Sequence, residues 1–186
     1  MFSPTVLADE IEARSEPVGL WQPKEYAARD VVLLQGDANS AIYVQVSGLT
    51  KLTYISSDGD EWIKSFVADA GLFGTLSDSN SSGSRFGAVA IEPSVIVKLS
   101  ASWVREQMER DAALAALTAQ FTAWLAERKQ LREEMLLCSN PEERYLSMLR
   151  NDAPLISRLP QGDIARFLRI TPIAFSRIKR RLRESI

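Results

Sequence analysis

The stretch Leu159-Pro160-Gln161-Gly162-Asp163-Ile164-Ala165-Arg166-Phe167-Leu168-Arg169-Ile170-Thr171-Pro172-Ile173-Ala174-Phe175-Ser176-Arg177-Ile178-Lys179-Arg180-Arg181-Leu182 has the pattern of two short helices joined by a tight turn. Pro160 suits a helix start, and Asp163 in the first turn favours the positive end of the helix dipole. Ile164, Ala165 and Leu168 recur at helical spacing and give the first helix one apolar stripe. Arg169-Ile170-Thr171 forms the turn. Thr171 is placed to cap the second helix, and Pro172 takes the first helical position, where its missing N–H costs nothing. Phe175, Ile178 and Leu182 then repeat at i, i+3 and i+7 and should pack inward. That leaves Ile173, Ser176, Arg177 and Arg180 on the opposite side, flanked by Lys179, Arg181 and Arg183. A helix with a basic outer face, set across a turn from a first helix, is shaped for the major groove of double-stranded DNA.

Charge points the same way. From Arg158 to Ile186 the net charge is +6, the whole chain carries −2, and the remainder therefore carries −8. A basic tip on an acidic body is the footprint of a protein that meets phosphate at one end. Charge alone would also fit a solvated amphipathic helix or a basic helix lying on a membrane. The preceding helix, the turn and the cap favour DNA.

The 186 residues, 46% apolar and 25% charged, have room for one or two domains with real cores. No apolar run approaches the ~20 residues that span a bilayer, so no membrane partner is expected. The early acidic cluster Asp9, Glu10 and Glu12 is unlike a signal peptide, and cytoplasmic residence is the expectation. The absence of histidine removes a His-ligated haem, a typical zinc site and a Ser-His-Asp triad. One cysteine, Cys138, can form neither an intramolecular disulfide nor an iron–sulfur cluster within the chain. No metal, no cofactor and no catalytic residue is therefore expected, and an enzyme reading has no support. Cys138 itself reads either as a redox sensor or as an inert thiol.

Residues 24–100 read as short strands punctuated by turns. Val31-Val32-Leu33-Leu34 precedes Gln35-Gly36-Asp37, and Ala41 to Val46 precedes Ser47-Gly48. Leu49 to Ile55 breaks at Ser56-Ser57-Asp58-Gly59-Asp60, while Glu61 to Val67 and Ala88 to Leu99 are further strand candidates. Strands at this spacing suggest an antiparallel barrel or jelly roll, with Ser77 to Ser84 as a mobile loop. From about Ser102 the pattern turns helical. Leu114, Leu117, Phe121, Trp124, Arg128, Leu131 and Met135 step alternately by three and four, an a/d seam. The seam would be buried against a second copy of the chain or against its own β domain. Two-fold symmetry, common in helix-turn-helix proteins, favours a homodimer. Arg128 is the misfit on that seam and would face a ligand or a partner's acid. Asn140-Pro141 caps another helix with Tyr145, Leu146 and Leu149 on its apolar face.

The fold class is thus α+β: an N-terminal β-barrel or jelly roll, a long dimerisation helix and a C-terminal helix-turn-helix. This order resembles the Crp/Fnr family of bacterial transcription regulators from about Trp21 onward. The likeness is carried by Leu33 to Gly36-Asp37, Ile42-Tyr43, Ser47-Gly48-Leu49, Asp58-Gly59 and Gly71-Leu72-Phe73-Gly74. Arg85 with Ala88, Glu143-Arg144, Ile170-Thr171-Pro172 and Ser176-Arg177-Ile178 complete it. The resemblance implies a cyclic-nucleotide-binding-like β domain at residues 1–109, a dimerisation helix at 110–138 and a DNA-binding domain at 139–186. It implies a DNA-binding regulator, with RNA polymerase as a further expected partner.

The resemblance also implies an effector pocket, with Gly74, Thr75, Arg85, Phe86, Lys129 and Gln130 as its candidate residues. In cyclic-nucleotide-binding members an arginine, matched here by Arg85, neutralises the cyclic phosphate. Thr75 stands where a ribose-binding glutamate belongs, Phe86 where a small hydroxyl residue belongs, and Lys129 and Gln130 where a threonine–serine pair touches the purine. These departures argue against cAMP and leave a different effector, anionic because of Arg85, or none. A salt bridge holding the loop is the plain alternative role for Arg85. In the reader, the resemblance gives Arg177 a guanine and Ser176 a matched position, while Ile173 replaces a cytosine-reading glutamate and offers only apolar contact, for example to a thymine methyl. The DNA-contacting set expected is Thr171, Ile173, Ser176, Arg177, Lys179, Arg180 and Arg181, within a helix spanning Pro172 to Arg183. Arg169 replaces a glycine common in the turn and would be strained if φ is positive there. Asn151 to Leu159 leaves little room for a β-wing. The rival reading, from another class, is a ligand-binding module that regulates a protein partner through its terminal helices.

Overall fold

The computed structural model describes residues 3–38, 40–76 and 83–184. Eight short strands form the β part: β1 (Pro23–Tyr26), β2 (Val31–Leu33), β3 (Ala41–Ser47), β4 (Thr50–Ile55), β5 (Glu61–Val67), β6 (Gly71–Gly74), β7 (Gly87–Ala90) and β8 (Ser94–Ser100). They pair antiparallel in two four-stranded sheets, ordered β1-β8-β3-β6 and β2-β7-β4-β5. This is the jelly-roll arrangement, two facing sheets rather than a closed barrel. The run Ala88 to Leu99 is two strands, because Ile91, Glu92 and Pro93 turn the chain between β7 and β8. Most of the serine-rich loop expected at Ser77 to Ser84 lies outside the described residues. Its end is pinned: the Ser84 N–H donates to Asp37 O at 2.8 Å and the Gly36 N–H to Ser84 O at 2.7 Å.

Period-two alternation explains the apolar runs. Ala41 and Tyr43 point between the sheets, with Leu33, Leu52, Phe73, Ala88 and Ile96. Val44, Leu72, Val97 and Leu99 point the other way, under helices. Strands covered on both faces need apolar residues at both parities, which is why β3 and β8 read as nearly continuous hydrophobic runs. Gly48 turns β3 into β4 at φ 93 with Pro93 and Ser94 packed against it, so the turn has room for no other residue.

The helices that cover the first sheet are α1 (Pro4–Ser15), α2 (Ala101–Arg110) and α3 (Ala112–Cys138). Helix α1 inserts Leu7, Ala8 and Ile11 beside Val104 and Leu114, and Arg14 pairs with Asp111 at 2.5 Å. Asp111 also caps α3, accepting from the Ala113 N–H at 2.8 Å. The long helix therefore starts at Ala112, after a break at Asp111.

The chain's own roll takes the first part of the expected dimer seam. Leu114 is 1% exposed within the core, and Leu117 and Phe121 pack against the same cluster. These three seam positions are intramolecular, because α3 lies on the first sheet and α1 rather than standing free of them. Farther along, Leu131 is 57% exposed, while Trp124 and Met135 are half-buried. Arg128 lies over the Trp124 ring at 5.1 Å and meets Asp152 of its own chain at 3.8 Å.

Four more helices follow: α4 (Pro141–Asn151), α5 (Ala153–Ile156), α6 (Gln161–Phe167) and α7 (Pro172–Glu184). Asn140 and Glu143 form a full capping box at the start of α4. Helix α5 occupies the short connection where a β-wing had no room. A third apolar cluster joins Met148, Leu159, Ile164, Ala165, Leu168 and Phe175 to Leu49, with Phe66, Ala68 and Ile91 of the roll against it. The C-terminal helices are thus seated on the outer surface of the second sheet. Among the described residues no helix is long and apolar enough to cross a membrane.

Candidate nucleic-acid interface and effector pocket

Helices α6 and α7 stand across a turn of four residues, Leu168 to Thr171. Leu168 is fully buried and the Ile170 N–H donates back to Ala165 O at 3.0 Å. Arg169 has φ 59, so the positive φ that a glycine would favour is present and an arginine occupies it. Thr171 Oγ1 accepts the Ala174 N–H at 3.2 Å, as a cap should. Phe175 and Ile178 are buried, and Phe175 meets Tyr145 edge-on with ring centroids 4.9 Å apart. Burial of that side fixes which side faces out.

The outward side carries most of the residues expected from the sequence. Ile173 is 67% exposed, and Thr171, Ser176, Arg177, Arg180 and Arg181 are exposed with it. Arg177 and Arg183 make no ion pair among the described residues. Lys179 differs: its ammonium bonds Gln161 and lies 5.2 Å over the Phe175 ring, half-buried against α6. Arg181 pairs with Glu142 at 2.9 Å. An open groove of about 840 Å³ runs between the start of α4 and α7, with Glu142 and Glu143 on one wall and Arg177 and Arg181 on the other.

Three of the cations counted in the basic tip serve the roll instead. Arg158 donates to Asp69 at 2.8 Å and to Glu92 at 2.5 Å. These bonds, Glu92 first and Asp69 second, raise its pKa further. Arg166 sits 3.5 Å from Glu61 and 3.3 Å from Asp163. Lys51 of β4 joins the same group, at 2.8 Å from Glu61 and 3.3 Å from Asp163. Asp163, in the first turn of α6, is only 6% exposed, so it acts as the acid of a network that joins α6 to β4 and β5 as well as at a helix end. Arg169 stacks on Trp62 of β5 at 3.9 Å. The charge available to phosphate is therefore concentrated on α7, a distinction that residue counting misses.

The effector candidates are partly brought together. Gly74, at φ 130, lies so close to Ala41 O that no Cβ fits, and the Thr75 N–H donates to Ala41 O at 3.1 Å. Arg85 is exposed and makes no ion pair among the described residues. Phe86 packs into the roll interior, where Tyr43 and Phe73 stack at 4.8 Å. Lys64 lies over the Phe86 ring at 4.8 Å and also meets Lys129 from α3. Gln130 is exposed.

Lys64 is the residue that sequence reasoning missed. The β4–β5 register pairs Leu52 with Ser65 and Thr53 with Ile63, so Lys64 is the extra residue of a bulge. A bulge re-aims a side chain, and no local signal in Trp62-Ile63-Lys64-Ser65 announces it. Burial first, and then the facing Lys129, pull its pKa down to about 8.

Residues 23–111 match the family model of the cyclic nucleotide-binding domain. No curated protein matches the sequence significantly. Among solved structures, FixK2 from Bradyrhizobium japonicum is similar with a TM-score of 0.79 at 18% identity, over 89% of this chain and 85% of that one. A CooA mutant from Carboxydothermus hydrogenoformans follows at 0.77 and 12% identity, over 92% and 80%. The c-di-GMP responsive global regulator CLP of Xanthomonas campestris gives 0.73 at 16%, over 94% and 92%. Jelly roll, long helix and a C-terminal two-helix unit thus occur here in one chain, whose residues 23–111 match the cyclic nucleotide-binding domain and which has the fold of the Crp/Fnr-family regulators.

Proposed function

We propose that this protein is a transcriptional regulator that reads a two-fold DNA site as a homodimer through α7. The observation that carries this reading is the exposed face of α7, where Ile173, Ser176 and Arg177 project from a helix capped by Thr171 and braced by α6. Arg177, with a guanidinium unpaired among the described residues, has the reach to fork onto guanine O6 and N7, and Ile173 offers contact to a thymine methyl. The proposed division is a β effector domain at 1–109, a linking helix at 110–138 and a DNA-binding domain at 139–186. Dimerisation is assigned to the solvent-open surface of α3, which carries Ala116, Ala119, Ala123 and Leu131, since Leu114 is already buried in the chain. The effector domain takes a ligand other than cAMP: Thr75 brings no carboxylate for a ribose, Phe86 fills space near the phosphate position, and Lys64 and Lys129 line the helix wall with charge. RNA polymerase is the expected downstream partner.

In vitro selection of bound duplexes tests this. The expected product is a palindrome with half-site centres about 34–36 Å apart, roughly one helical turn. Recovery of unrelated sequences by the wild-type protein, with and without small-molecule extract, would sink it.

A further inference from the structure

Three arginines meet where β5, α3 and the turn between α6 and α7 come together, and none has a carboxylate at ion-pair distance among the described residues. Arg132 donates through Nη2 to Ile63 O at 3.1 Å and to Phe167 O at 3.0 Å, with its guanidinium 3.7 Å over the Phe167 ring. Arg144 donates to Ser139 O at 3.0 Å, Leu168 O at 2.9 Å and Leu136 O at 3.1 Å. Arg169 lies 3.9 Å over Trp62. Carbonyl oxygens and ring faces are thus the counter-charges of this junction. The Nη1 of Arg132 is buried and has no hydrogen-bond partner among the described residues.

Two physical arguments converge on this place. Buried cations without an anion are costly, and a donor left unpaired costs its full desolvation. Burial, followed by the charges of Arg169 and Arg144, lowers the Arg132 pKa to about 10. The backbone adds an independent sign. Arg169 sits at φ 59 in a turn where glycine would be free of strain. From that backbone position the guanidinium is held over Trp62, beside Arg132.

We propose that this junction binds a small oxyanion, a phosphate or carboxylate group, taken by Arg132 Nη1 and the Arg169 guanidinium. The bound anion fastens the C-terminal helices to the roll, because Arg132 already bridges Ile63 of β5 and Phe167 of α6. This site uses none of the candidate effector residues and does not depend on DNA binding.

Inorganic phosphate is the probe, titrated against the full-length protein at ionic strength matched with chloride, and read by thermal unfolding and by titration calorimetry on the folded protein. The wild type should show saturable stabilisation and a matching heat. Arg169→Gly suits its backbone conformation and folds, and should raise the half-saturating phosphate concentration about ten-fold or more, as expected when one charged donor pair is lost. Arg110→Ala removes an exposed cation elsewhere, paired with Glu106, and should leave the curve unchanged. An equal, non-saturating rise in all three proteins would show that water satisfies Arg132 and would overturn the proposal. Saturation at the same phosphate concentration in Arg169→Gly and wild type would place the anion elsewhere and overturn it too. Failure of the DNA selection would leave these curves as they are.

Discussion

Arg158 and Asp69 are 89 residues apart in sequence and 2.8 Å apart in space. The second oxygen of Asp69 accepts the Gly48 N–H at 2.6 Å, so one carboxylate ties the segment before α6 to the β3–β4 turn. Glu92 shares the same guanidinium. The C-terminal helices are joined to the roll by charge around a shared apolar cluster, and each bond in that ring is open to test.

Asp69→Asn should cost about 1–2 kcal/mol at neutral pH, the scale of a charged hydrogen bond at a partly exposed site. Burial alone would raise the Asp69 carboxyl, but the Arg158 and Gly48 bonds more than reverse it and hold it below its usual range. A depressed folded-state pKa contributes stability that is present above the unfolded value of about 3.9 and is lost as pH falls through the folded one. Urea unfolding at pH 7 and at pH 3 checks this. The difference between variant and wild type should shrink in acid; a difference that stays constant would refute the linkage.

Position 169 should invert the ordinary ranking of alanine and glycine. At φ 59 a Cβ is strained and glycine is not. Arg169→Gly should therefore be more stable than Arg169→Ala by about 1 kcal/mol, although both lose the stack on Trp62. Denaturant midpoints of the two variants decide it, and the opposite order would show that the turn relaxes.

Lys64 gives stability an alkaline limb. Its folded pKa of about 8 lies below that of an exposed lysine, so between about 8 and 10 the unfolded chain binds the proton that the folded chain has released. Stability should then rise with pH across that window, and fall back toward neutral pH as the buried amine is charged beside Lys129. Lys64→Met should be flat over the same range and more stable than wild type at pH 7. Midpoints measured across the window are the check, and parallel curves for the two proteins would remove Lys64 from the account.

On a selected DNA site, Arg177→Ala should lose about 1–3 kcal/mol of discrimination at one base pair. Arg183→Ala should instead weaken all duplexes alike and reduce the salt slope by about 0.9, the value for one phosphate. Binding isotherms on the selected site and a single-base variant, at several salt concentrations, separate the two. Equal losses on both sequences for Arg177→Ala would show that it touches backbone only.

Much of the fold was legible in residue order. Strand runs bounded by Gly36, Gly48 and Gly59 marked the roll, the Asn140-Pro141 and Thr171-Pro172 pairs marked two helix starts, and the spacing of Phe175 and Ile178 fixed the outward side of α7. These signals are local, so they survive without tertiary context. Helix α1 and strand β6 carried no comparable signal. The helix has its Leu7, Ala8 and Ile11 among charged neighbours, and the strand is four residues of glycine, leucine and phenylalanine.

The candidate site was less legible. The exposed residues of α7 followed from helical periodicity, except Lys179, which folds back onto Gln161 and Phe175. That Lys64 lies beside Phe86 and Lys129 was not legible, because a bulge depends on the partner strand's register.

The sequence by itself determined most of the strand runs, the caps at Asn140 and Thr171 and the basic face of the last helix, since each rests on interactions within about four residues. Only the tertiary structure decided where charge and apolar surface are used. It turned Leu114 toward the chain's own core, drew Arg158, Arg166 and Arg169 away from the basic tip, and left Arg132 buried between β5 and α6. Those outcomes depend on which distant surfaces meet, and composition and spacing carry no record of that.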